Sequence, residues 1–170
     1  MSRIFNGAKI FKFATIFFAA FLLAACAATD TTSGSSTRTD TSRDDPTAGS
    51  ARHFLQEARD RVYFAFDRYD LSDDAQADLR LQAAWLDQYP GTTVVIEGHA
   101  DERGTREYNL ALGQRRAESA RAYLVSLGVD PARIRTISYG KERPVAPEHN
   151  ERAWRLNRRA VTVVTSPYDS

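Results

Sequence analysis

The chain contains a single cysteine, Cys26, which rules out any disulfide within it and leaves the thiol in need of another use. An excess of charge of one sign is also missing. Lysine and arginine total 23 against 22 acids, a formal net charge of +1, so nothing in the balance favours a nucleic-acid partner. The motifs of two large hydrolase classes are absent, since there is no HExxH pair and no G-x-S-x-G elbow. Of the three histidines, His53, His99 and His149, His99 alternates with Asp101 in "HAD", and neither of the others sits in an HExxH-type helix. Two alternating residues at a strand end are too few ligands for a metal, so the sequence calls for no metal, no cofactor and no catalysis. There is no internal repeat. Between Ala27 and His53 there is no Leu, Ile, Val, Met or aromatic residue.

What is present begins with a leader. Arg3, Lys9 and Lys12 precede "FATIFFAAFLLAA", which is shorter than the roughly 20 residues of a membrane span and reads as the core of a secretory signal over residues 1–25. The four residues Leu23 to Cys26, "LAAC", resemble the bacterial lipobox, in which the cysteine after the cut carries the lipid. That resemblance makes Cys26 the lipidation site and gives the lone thiol its use. Ala27 stands where an Asp would signal inner-membrane retention, which implies transfer to the outer membrane. Residues 26–53 read as a lipid-anchored flexible linker, because Thr, Ser, Asp and Gly cannot bury enough apolar surface to offset the entropy of ordering. Its r.m.s. span would be roughly 30 Å.

From Phe54 onward aromatic and branched residues recur, and residues 54–170 suit one globular domain. "RVYFAF" (Arg61 to Phe66) predicts a strand. Ser72, followed by Asp73 and Asp74, predicts the start of a helix that runs through Leu79, Ala83 and Leu86 to "YPGT". "TVVIEGH" predicts a second strand. A helix starting near Thr105 places Leu110, Gly113, Ala117, Ala120, Leu124 and Leu127 on one stripe and stops at Gly128. "IRTISYG" and "RAVTVV" predict two more strands, with a helical turn around Trp154 between them. Tyr63, Phe64, Phe66 and Trp85 are expected in the core. Alternating strands and helices argue for an α+β fold, an α/β sandwich with helices packed against a sheet.

Five collinear segments, "VYFAFDRYDLS", "IEGHADERGTREYN", "LGQRRAESARAYL", "ISYGKERP" and "NRRAV", together resemble the OmpA C-terminal-like family. The resemblance implies a βαβαβ-type domain with a mixed sheet. It implies a ligand, the diaminopimelate stem peptide of peptidoglycan, and no enzymatic activity. For the lipid-anchored members it also implies TolB as a partner, with TolA or other Tol components as further candidates, and a tethering role in envelope integrity and cell division. The family's ligand-binding acid and arginine fall on Asp101 and Arg116, and another acidic contact falls on Asp67. Asn157 and Arg158 of "NRRA" match further contacts. The family often has proline where this chain has Arg106.

The ligand's chemistry fits these residue types. The free end of a diaminopimelate side chain carries an ammonium and a carboxylate on one carbon, and an arginine fork grips a carboxylate bidentately. Backbone N–H groups near Gly104 and Thr105, at a helix start, could add donors. Asp101 and Arg116 are expected to be rim charges to which the fold is indifferent, and Arg115 a solvated neighbour. Other readings are an adaptor that binds mainly proteins, a metal-dependent cell-wall hydrolase, or a stator- or porin-linked wall anchor. The last would need a membrane-spanning helix or a β-barrel.

Overall fold

The computed structural model of the protein describes residues 47–165. The expected signal segment, Cys26 and the linker as far as residue 46 lie outside them. Helix α1 (Ala51–Glu57) leads into strand β1 (Arg61–Tyr63) and helix α2 (Asp73–Gln88). Strand β2 (Val94–His99), helix α3 (Arg106–Ser126) and strand β3 (Ile134–Gly140) follow, then helix α4 (Glu151–Asn157) and strand β4 (Arg159–Val164). The four strands form one mixed sheet in the order β1-β4-β2-β3. β4 runs antiparallel to both β1 and β2, and β3 runs parallel to β2. This is the α+β sandwich the sequence pattern calls for.

Local chemistry accounts for the helix boundaries. Ser72 accepts a hydrogen bond from the Ala75 amide, and Asp73 and Asp74 sit in the first turn, where the helix dipole favours negative charge. Thr105 does the same for α3 through the Tyr108 amide, and Asn150 for α4 through Ala153. Gly128 follows α3 with φ +101°, and the Val129 amide reaches back to the Leu124 carbonyl, the six-to-one closure that ends a helix. Arg106 is the first residue of α3. Proline is also favoured at that position, and the Thr105 cap forms with arginine there.

Three features differ from the sequence reading. α1 takes in Ala51, Arg52 and His53, which composition assigns to the linker. Ser50 caps it through the His53 amide, and Trp85 donates from Nε1 to His53 Nδ1 at 2.9 Å. Seven residues with one buried apolar side chain, Phe54, give too weak a period to be seen without the surface they dock on. β1 stops at Tyr63 instead of Phe66. Phe64 and Trp85 are core, but Tyr63 and Phe66 are exposed, Phe66 by 57%. The α3 stripe is also rotated. Leu110 and Leu127 face outward, and Asn109, Leu112 and Arg116 join Gly113, Ala117, Ala120 and Leu124 on the buried side. A buried arginine and asparagine on that face conceal its period.

The core lies between the helices and one side of the sheet, where Val62, Val94, Ile96, Ala160 and Val164 meet Leu79, Leu86, Ala117 and Leu124. One contact sets how closely α3 lies on β2. A Cβ at Gly98 would come within 1.8 Å of the Gly113 carbonyl oxygen. Only a pair of glycines allows this crossing, and it brings the first turns of α3 over the C-terminal end of β2.

Candidate functional site

The loop from Ala100 to Thr105 joins β2 to α3, and its Asp101, Arg103 and Gly104 share a cavity of about 160 Å³ with the segment after β1 and the first three turns of α3. Phe66, Asp67, Asp101, Arg103, Gly104, Tyr108, Asn109, Leu112 and Arg116 line it. Asp67, Asp101, Gly104 and Arg116, separated by up to 49 positions in the chain, are therefore brought together as the sequence reading expects. Thr105 lies beside them as the cap of α3.

Asp101 is 4% exposed and fully engaged. Its Oδ1 accepts from the Arg103 amide at 3.1 Å and from Arg103 Nε at 3.2 Å. Its Oδ2 accepts from Arg103 Nη2 at 2.7 Å and from Arg158 Nη1 at 3.2 Å. Four donors match the roughly four lone-pair sites of a carboxylate. Burial pushes the Asp101 carboxyl up, but the hydrogen bonds from Arg103 and Arg158 outweigh it, and the group titrates below its ordinary value.

Arg116 is not a rim charge. It is 0% exposed and donates to three carbonyls: Arg68 from Nε at 2.8 Å, His99 from Nη1 at 2.8 Å, and Ala65 from Nη2 at 3.2 Å. Burial brings its guanidinium down to about 10, so it stays charged at neutral pH. Of its five N–H donors, two remain on the terminal nitrogens, and the residue lines the cavity. Its neighbour Arg115 is exposed, as expected, over the Tyr69 and Tyr108 rings.

Asp67 is exposed at the cavity mouth with φ +55°, and the Tyr108 hydroxyl donates to its Oδ1. Asn157 is turned elsewhere. Its Oδ1 accepts from the Val145 and Ala146 amides and its Nδ2 donates to the Ala146 carbonyl, so it pins the loop before α4 and does not reach the cavity. Arg158 does not line the cavity either. It braces the site from below, donating to the Phe64 carbonyl at 3.0 Å, to Asp101, and to Glu151 Oε1 at 2.8 Å.

Sequence reasoning missed Phe66, Arg103, Tyr108, Asn109 and Leu112. Part of the signal was available, because Tyr108, Leu112 and Arg116 recur at intervals of four and so share one face of α3. Arg103 carries no such mark. Its guanidinium carbon lies 4.0 Å from the centroid of the Phe66 ring and 4.1 Å from that of the Trp154 ring, two rings that only the fold brings together. The site thus offers two carboxylates and two guanidiniums around a small cavity walled by Phe66, Tyr108 and Leu112. That charge pattern suits a zwitterion with an aliphatic stem.

Comparison with known proteins matches residues 63–158 to the OmpA family. Similar chains include a peptidoglycan-associated lipoprotein of Mesorhizobium japonicum, 56% identical over 119 residues, 70% of this chain and 71% of that one. Another, from Haemophilus influenzae, is 48% identical over 107 residues, 63% of this chain and 70% of that one. Among solved structures, the peptidoglycan-associated lipoprotein of Burkholderia pseudomallei superposes with a TM-score of 0.61 at 49% identity, covering 62% of this chain and 90% of that one. The C-terminal domain of Helicobacter pylori MotB, at 20% identity and a TM-score of 0.56, covers 62% of this chain and 84% of that one and shares the fold.

Proposed function

We propose that this chain, which belongs to the OmpA family and within it to the peptidoglycan-associated lipoproteins, is a non-enzymatic tether. Its domain grips the diaminopimelate stem peptide of peptidoglycan while acyl chains on Cys26 hold it in the outer membrane. The observation that carries this reading is the convergence of Asp67, Asp101, Arg103 and Arg116 on one cavity of about 160 Å³. Asp101 takes the ligand's ammonium, and the two remaining N–H groups of Arg116 meet its carboxylate, with the N-terminal dipole of α3 adding to the field. Arg103, the more exposed of Asp101's two side-chain partners, stays in place and holds the carboxylate toward the ammonium. Asp67 at the mouth offers a second acceptor.

The family relation supports the rest of the reading. TolB is the protein partner, within the Tol assembly, and the linker gives the domain reach from the membrane to the wall. Calorimetric titration of the domain with stem peptides tests the ligand. Diaminopimelate peptide should bind, and peptide with lysine in its place, lacking the second carboxylate, should bind at least tenfold more weakly, the loss expected for an unmade charge-assisted contact. Equal affinity for both would remove the assignment of Arg116.

A further inference from the structure

Glu102 sits between two cavity-lining residues and does not itself line the cavity. Its carboxylate points the other way and joins the binding loop to the segment around α4. Trp154 donates from Nε1 to Oε1 at 2.7 Å, and His149 Nδ1 lies 2.5 Å from Oε2. The hydrogen bond from Trp154, followed by the His149 contact, holds the Glu102 carboxyl below its ordinary value. The loop backbone is held from a second side, because Lys141 Nζ donates to the carbonyls of Glu102 at 3.1 Å and Gly104 at 2.6 Å. Asn109 adds a third hold by donating to the Arg103 carbonyl at 2.8 Å.

We propose that Glu102 is a positioning residue for the ligand site, acting through Trp154 and Arg103. The contacts form a chain. Glu102 fixes the plane of the Trp154 indole by accepting its N–H. That plane, with Phe66, fixes the plane of the Arg103 guanidinium stacked between them. A guanidinium held in plane meets Asp101 edge-on through Nε and Nη2, and so orients the carboxylate. Glu151 on α4 lies 3.8 Å from Arg103 and takes Arg158 at 2.8 Å, so displacement of α4 would disturb both arginines on Asp101. Side chains acting this way confer affinity by removing the ordering that binding would otherwise require. The proposal rests on the reading of the cavity as the stem-peptide site.

The substitutions Glu102→Ala and Glu102→Gln separate this from a merely structural role. Glu102 is on the surface, so neither should shift the melting temperature by more than about 2 °C, the scale of an exposed pair. Glu102→Ala should weaken stem-peptide binding on the order of tenfold, as loss of a hydrogen bond to a charged group does. Glu102→Gln keeps an acceptor for the indole and should recover most of that loss. The Trp154 indole N–H resonance in the unliganded ¹⁵N-labelled protein, assigned with Trp154→Phe, should move upfield in Glu102→Ala and stay near its place in Glu102→Gln. Wild-type affinity in Glu102→Ala, an unmoved indole signal, or a fall in affinity that tracks a fall in melting temperature would each overturn the proposal. If the wild-type protein binds no stem peptide, the cavity reading fails instead, and the indole signal still reports whether the clasp exists.

Discussion

Replacing Arg116 with alanine should unfold the domain by many degrees before it says anything about ligand binding. The side chain joins three pieces of chain: α3, the end of β2 at His99, and the β1–α2 loop at Ala65 and Arg68. Three hydrogen bonds from a charged donor contribute roughly 1.5–3 kcal/mol each, or about 5–9 kcal/mol together. Against this stands the cost of burial. A guanidinium brought down by burial to about 10 has lost roughly 3 kcal/mol of solvation, which alanine would restore. The hydrogen bonds win, and the net loss is about 2–6 kcal/mol, a large part of the roughly 5–15 kcal/mol that holds such a domain together. At about 4 °C per kcal/mol for roughly 120 residues, the melting temperature should fall by about 8–24 °C. Thermal unfolding followed by circular dichroism reads this directly. Arg116→Lys, with a charge but no fork, should fall between alanine and the wild type. A Tm for Arg116→Ala within about 3 °C of wild type would refute the account, because it would mean that the three carbonyls find other donors at no cost. Loss of sacculus binding by Arg116→Ala assigns a ligand contact only at a temperature where the variant is folded.

Acid should destabilise the protein through His99, which burial, then the Arg159 and Arg143 guanidiniums, hold down to about 3. Between that value and the ordinary 6.5 the unfolded chain binds a proton that the folded one does not, so stability falls with pH by about 1.4 kcal/mol per unit. Urea denaturation at pH 7 and pH 5 should show about 2 kcal/mol of this in the wild type and not in His99→Gln; equal pH dependence in the two would refute it. Gly98→Ala would push a methyl group to 1.8 Å from the Gly113 carbonyl and should greatly lower the melting temperature, whereas a wild-type melt would mean that α3 does not cross there. Cys26→Ser should abolish labelling by radioactive palmitate and release the protein from the outer-membrane fraction; retained label would sink the lipobox reading. Added stem peptide should reduce co-purification with TolB, and unchanged recovery at saturation would place the two ligands on separate faces.

Much of this protein is decided within short windows of its sequence. The caps at Ser72 and Thr105, the stop at Gly128 and the apolar runs of β2 and β4 depend on neighbours a few positions away, so the elements and their order are legible along the chain. The clustering of Asp67, Asp101 and Arg116 could be anticipated from the family's motifs. What each of them does could not, because a charge's role depends on what surrounds it, and those groups come from distant segments. The carbonyls of Ala65, Arg68 and His99 turn Arg116 from a surface charge into a buried brace. The backbone of the 145–146 loop takes Asn157 away from the ligand, and Asp101 and Glu151 make Arg158 a support. Arg103 is the plainest case. In sequence it is one more charge in a polar loop, and only the folding of Phe66 and Trp154 onto its two faces makes it part of the site. Period and capping are local properties of the backbone, whereas burial and pairing are properties of the packed whole, and so only the tertiary structure decided them.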